Sequence, residues 1–144
     1  MADKTGYLIF QIGQRQFGVS LQDVRGICWE QLTSGTVERP VCTRTVYSSL
    51  MKTVTIVDLY SKFDQPHPFR PCGSPMLIIK TAWVNGARYF GIPVDEFVAV
   101  TRFSNWDLKP VVGEEKFFVG RTLIKGRQTQ ILKIQTLLVS MHKF

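Results

Sequence analysis

The chain has 144 residues, 44% apolar and 20% charged, which excludes a disordered polymer and allows a core that buries roughly 70% of the unfolded surface. No apolar run nears the ~20 residues that span a bilayer. The opening Met1-Ala2-Asp3-Lys4-Thr5-Gly6 lacks a signal-peptide core, so a cytoplasmic protein without direct membrane insertion is expected. The formal charge of +7 comes from basic residues spread singly along the chain, which suits a solvated surface or an acidic protein partner better than nucleic acid.

Tyr7–Ile12 reads as a strand, Gly13–Gln16 as a polar hairpin turn and Phe17–Leu21 as the return strand. Leu21, Val24 and Ile27 then recur every three residues, which predicts one short helical turn that Gly26 weakens. Cys28–Pro40 reads as irregular, and Thr43, Thr45, Val46 and Tyr47 favour extended chain. Val54, Ile56 and Val57 form a β-branched strand that stops at Asp58, which caps a single helical turn carrying Leu59 and Phe63. The stretch 64–75 holds four prolines in twelve residues and reads as a hinge.

Beyond it, Met76–Thr81 is a strand, Asn85-Gly86 a hairpin signal, and Arg88–Val94 the return, with Pro93 marking an edge or bulge. Asp95–Phe103 continues extended, Ser104–Asp107 turns, and Lys109–Lys116 is a loop. Phe117–Ile124 and Thr129–Ile134 pair as a hairpin across Lys125–Gln128, and Leu137, Leu138 and Met141 predict a closing helix. Strand, tight turn, strand and a short Asp-containing step occur at Tyr7–Ile27 and again at Met76–Val100. Short strands at this spacing predict an all-β chain of two small barrels side by side, the first over 7–65 and the second over 76–139, in a single domain.

Catalysis needs a nucleophile with its base, paired carboxylates or a metal cluster. His67 and His142 have no Cys, Asp or His at ligand spacing. Asp58 and Asp95 make better turn caps than acids, and Asp95-Glu96 and Glu114-Glu115 are adjacent pairs that solvent can hold. The glycines form no phosphate loop, and Cys28, Cys42 and Cys72 share no metal-like spacing. No enzyme, cofactor or metal is expected. A nucleic-acid-binding barrel is a further reading, but Trp29, Trp83 and Trp106 are too dispersed in sequence to define a stacking platform.

Four blocks carry a resemblance. Tyr7-Leu8-Ile9-Phe10-x-Ile12-Gly13-x-x-x-Phe17-Gly18-Val19 with Val24-x-x-Ile27 resembles the opening of the CheW-like adaptor family. Val54-x-Ile56-Val57-Asp58-Leu59-x-x-x-Phe63 resembles its central strand, and Gly91-Ile92-x-Val94-Asp95-x-x-x-x-Val100 its third block. Phe117-Phe118-x-Gly120, Lys125-Gly126-Arg127 and Ile131-Leu132-x-Ile134-x-x-Leu137-Leu138 resemble its end.

The resemblance spans residues 7–139. It implies two five-stranded SH3-like barrels flanking a hydrophobic interior. It also implies a non-enzymatic scaffold for chemotaxis, or for pilus or gliding motility, at membrane-associated receptor arrays. Its implied partners are the regulatory domain of a CheA-type histidine kinase and the cytoplasmic tip of a chemoreceptor. The family's Gly-x-x-Asn-x-Arg-Gly segment is replaced here by Thr45, Ser48, Leu50 and Met51 at its defined positions, its strand proline by Thr55, and a common glutamate by Gly26. The partner groove it implies comprises Val24, Gly26, Thr45, Ser48, Leu50, Met51 and Gly91. The alternative is a degenerate member that keeps one interface or takes another partner.

Overall fold

A computed structural model describes residues 4–30, 41–45, 53–67, 74–83, 86–113 and 115–141. In β1 (Thr5–Ile12), Leu8, Phe10 and Ile12 point to one side and Tyr7 and Ile9 to the other, and both sets are buried. A strand apolar on both faces must lie between two layers of packing. Gly13, at φ +61, turns the chain into β2 (Arg15–Ser20). The chain continues through β3 (Val24–Glu30), β4 (Val41–Thr45), β5 (Thr53–Val57), α1 (Leu59–Lys62), β6 (Ser74–Trp83) and β7 (Gly86–Pro93). It ends with β8 (Glu96–Phe103), two short 3₁₀ turns, β9 (Phe118–Ile124), β10 (Arg127–Leu132) and α2 (Ile134–Met141).

These strands make two five-stranded sheets, ordered β8-β1-β2-β10-β9 and β3-β6-β7-β5-β4. Both follow one plan. A central antiparallel hairpin (β1/β2 or β6/β7) is flanked on one side by an antiparallel strand (β8 or β3). On its other side lies a parallel strand (β10 or β5) that carries an antiparallel partner (β9 or β4). Among the described residues the end strands of a sheet share no ladder, so each barrel is open.

The expected division into a barrel over 7–65 and another over 76–139 is not how the strands pair. The repeat in the sequence is present, but its two halves exchange strands. β3 leaves the first hairpin to pair with β6, and β8 leaves the second to pair with β1. Each sheet therefore takes strands from both sides of the proline-rich stretch, of which residues 68–73 lie outside the described part. The exchange satisfies the free edges of β1 and β6, which would otherwise expose rows of unpaired backbone groups.

The helical turn expected over Leu21, Val24 and Ile27 is a backbone turn followed by β3. The Asp23 N–H donates to the Ser20 carbonyl at 3.0 Å and the Val24 N–H to that of Leu21 at 3.2 Å. Ile27 is 54% exposed, so the three-residue spacing marks no buried face. Pairing of Val24 with Ile79 and Ile27 with Leu77 overrides it. The expected final hairpin forms with a tighter turn: Lys125 (φ +51) and Gly126 (φ +74) alone join β9 to β10, the pair of positive φ values that a two-residue hairpin of matching twist requires.

The main core lies between the sheets and joins Leu8, Phe10, Ile12, Phe17 and Val19 to Leu77, Ile79, Phe90 and Ile92. α1 and α2 close it with Leu59, Phe63, Leu137 and Leu138. Each sheet also has its own small interior, Tyr7, Ile9, Phe103 and Ile131 in one and Val54, Ile56, Met76 and Ile78 in the other. No helix among the described residues is long and apolar enough to cross a membrane.

Candidate functional site

β3 is an end strand of its sheet and carries two of the expected partner residues. Val24, opposite Ile79, is half-buried against the main core. Gly26, opposite Ile78, has open space where a side chain would stand. Around it Leu21 is 36% and Ile27 54% exposed. Among the described residues, a sheet end with an exposed Ile27 beside a glycine, next to a turn that exposes Leu21, is an edge that a protein partner can cover with little rearrangement. Leu21 and Ile27 were not among the expected contacts, because the helical reading of 21–27 hid them. Their signal was the β-branched pair Val24 and Ile27 flanking a glycine.

Gly91 lies elsewhere. It sits in β7 between Ile78 on one side and Ile56 on the other, and it is buried. A Cβ there would meet Met76 Sδ at 2.5 Å and Val54 Cγ1 at 2.9 Å. Its role is close packing inside the sheet, not presentation to a partner. Thr45 ends β4 opposite Thr53. Ser48, Leu50 and Met51 lie outside the described residues. Of the seven expected positions, the structure brings Val24 and Gly26 together on one edge.

The two sheets are held in register by a polar seam. Asp95, in the link from β7 to β8, accepts from the Gly13 N–H at 3.1 Å and from the Tyr60 hydroxyl of α1. Its own N–H donates to the Gln11 carbonyl at 2.8 Å. Gln65, just after α1, accepts from the Gln14 N–H at 2.7 Å. Across the molecule Gln135 of α2 donates to Asp23 at 3.0 Å and to the Lys80 carbonyl of β6 at 3.2 Å. Beside it opens a cleft of about 370 Å³, lined by Tyr7, Ser20, Asp23, Ile131, Lys133 and Gln135 among others. Among the described residues, Val24, Gly26 and Gly91 do not line it. Among the described residues no group of three His, Cys, Asp or Glu side chains could hold a metal ion.

Asp58 bears out its reading as a turn cap, whereas the Asp95 carboxylate reaches across to Gly13 and Tyr60 instead of capping its own turn. The Asp58 carboxylate accepts from the Ser61 N–H at 3.2 Å, from Ser61 Oγ at 2.8 Å and contacts His67 Nε2 at 2.6 Å. Burial alone would push this carboxyl up, but the bonds from His67 and Ser61 and the charge of the imidazole outweigh it and hold the group below its usual 3.8. A depressed carboxyl contributes stability that is fully present above its unfolded value and is lost as pH falls through the folded one. Below pH ~4 the parent's melting temperature is therefore expected to fall more steeply than that of Asp58→Asn. Equal acid slopes in a pH series of thermal melts would remove the role assigned to this cap.

These features define an all-β, two-barrel protein whose β3 edge has no further strand paired to it among the described residues. The CheW-like domain family matches residues 6–141, and the chain belongs to that family. Among solved structures it is similar to the scaffolding protein TtCheW from Thermoanaerobacter tengcongensis, with a TM-score of 0.70 at 14% sequence identity, over 95% of this chain and 92% of that one. At that identity the likeness concerns the fold. No curated protein matches the chain.

Proposed function

We propose that the chain is a non-enzymatic coupling scaffold of a chemosensory pathway, joining chemoreceptor tips to the regulatory domain of a CheA-type histidine kinase in the cytoplasm. The observation that carries this reading is the match of the CheW-like domain family to residues 6–141, almost the whole chain. The open edge at β3 supports it. Gly26 and Ile27 on β3, with Leu21 exposed in the turn before it, offer apolar surface that a partner of like fold or an apolar helical hairpin can cover. Rigidity matters for such a task, because a scaffold transmits movement only if its own two faces stay fixed relative to each other. The Asp95–Gly13–Tyr60 seam supplies that constraint.

A second reading has a specific basis. In it, the replacement of the family's Arg-Gly by Leu50 and Met51 makes the chain a degenerate member that keeps one interface or takes another partner. Co-purification of the purified chain with a CheA-type regulatory domain, and separately with a receptor tip, tests both. Capture of both partners is expected; capture of one alone establishes the second reading, and capture of neither overturns the first.

At the edge itself, Ile27→Asp is expected to leave the melting temperature within a degree or two, since the side chain is exposed. The same change should weaken capture of the partner that covers β3 by at least about tenfold. Undiminished binding of both partners by the variant would take the contact away from β3.

A further inference from the structure

We infer that the surface around Phe117, at the far end of the first sheet from β8, docks an acidic segment of a protein partner. Phe117 is itself 5% exposed and anchored in the main core. Two cations converge on its ring: Lys62 Nζ at 4.5 Å from the centroid and Lys116 Nζ at 4.8 Å. The two ammonium groups are thus no more than 9.3 Å apart, the sum of those distances. That is within about one Debye length at 0.1 M salt, so they repel each other.

A single aromatic ring compensates this only in part, because cation–π attraction at an exposed site is weak. Among the described residues neither lysine meets a carboxylate or makes a hydrogen bond, and Asp64, two positions from Lys62, stands exposed without pairing to it. The positive surface continues onto Arg15, whose guanidinium lies 4.9 Å from the ring centroids of both Phe17 and Phe63. Phe63 directly follows Lys62 in the chain.

The arrangement is more than scattered charge. Three cations are seated on rings that belong to the core, so the rings that attract them are fixed by packing. An anion arriving between Lys62 and Lys116 relieves a repulsion already present, and it finds its two partners in place. Carboxylates of Asp and Glu fit the charge. The neighbouring rings are buried in the core and offer no open face for a base to stack on, which favours protein over nucleic acid. That the occupant is a protein rests on the scaffold reading above; that it is acidic rests on the lysines alone.

The test uses a fluorescently labelled oligoglutamate peptide, with single-stranded DNA and phosphatidylserine vesicles as parallel probes, at low and at physiological ionic strength. The Lys62→Glu, Lys116→Glu double variant is expected to bind the peptide roughly tenfold more weakly than the parent. A control of the same charge change, Lys4→Glu with Arg102→Glu, alters two exposed residues at the opposite end of that sheet and should lose less than about threefold. Circular dichroism melts of all three proteins show that each is folded. Equal losses in the two variants reduce the effect to net charge and overturn the inference. So does DNA or vesicle binding that depends on Lys62 and Lys116 while the peptide does not bind. Because the peptide assay needs neither kinase nor receptor, its failure and the failure of the scaffold reading are separate results.

Discussion

Phe17→Ala is expected to destabilise the protein by about 3–5 kcal/mol, at least about a fifth of the stability of an ordinary domain. Phe17 is fully buried and sits where three elements meet. Its ring lies 4.7 Å from Phe63 after α1, 6.1 Å from Phe10 of β1 and 6.4 Å from Phe118 of β9. Its truncation opens a cavity that no single neighbour can fill, because each is pinned by a different element. Arg15 also loses one of the two rings beneath it. Urea unfolding should show a lowered midpoint with an unchanged slope. Phe17→Leu, which keeps most of the volume, should cost about 1.5 kcal/mol or less. A loss below about 1 kcal/mol for the alanine variant would mean that the ring cluster does not pin the end of α1 to the first sheet.

The element inventory was legible because it depends on local signals. Alternation, the Gly13 turn, the Asp58 cap and the apolar spacing of Leu137, Leu138 and Met141 each act within a few residues, and each appears where expected. Strand pairing is not local. Nothing within Tyr7–Ile27 tells β3 to leave its own hairpin for β6, because that choice is settled by which free edge lies nearby in three dimensions. The sequence repeat was visible, but repetition suggests two separate units as readily as two units that trade strands. The same limit produced the helical reading of 21–27. A spacing of three residues is ambiguous when only three apolar positions define it, and the β6 ladder decided it.

The candidate edge was legible in part, and through the family blocks more than through chemistry. Val24 and Gly26 lie on the open strand, while Ile27, more exposed than either, entered only as a motif residue. The lysine pair on Phe117 was invisible, since Lys62 and Lys116 are 54 positions apart and look like two isolated surface charges. Only the packing of α1 against the start of β9 unites them. Surfaces assembled from distant segments escape any reading based on runs.

Gly91 separates packing from binding most directly. Gly91→Val places three carbons where the first already lies 2.5 Å from Met76 Sδ, 2.9 Å from Val54 Cγ1 and 3.2 Å from Ile56 Cδ1. Those neighbours are themselves fully buried in the small interior of the second sheet, so they have nowhere to retreat. Overpacking of this kind costs about 3 kcal/mol, near the upper end of its usual range. A glycine that served a partner would behave differently, leaving the melting temperature unchanged and abolishing capture. The packing role predicts the reverse order: a large drop in stability first, and partner capture that stays normal at temperatures where the variant is still folded. Shortening the obstruction supplies the control. Met76→Ala in the Gly91→Val background should recover part of the loss, giving a non-additive double-mutant cycle, because the two side chains compete for one space. Strict additivity of the two changes would mean that Gly91 does not press on Met76, and the interior position assigned to it would have to be given up.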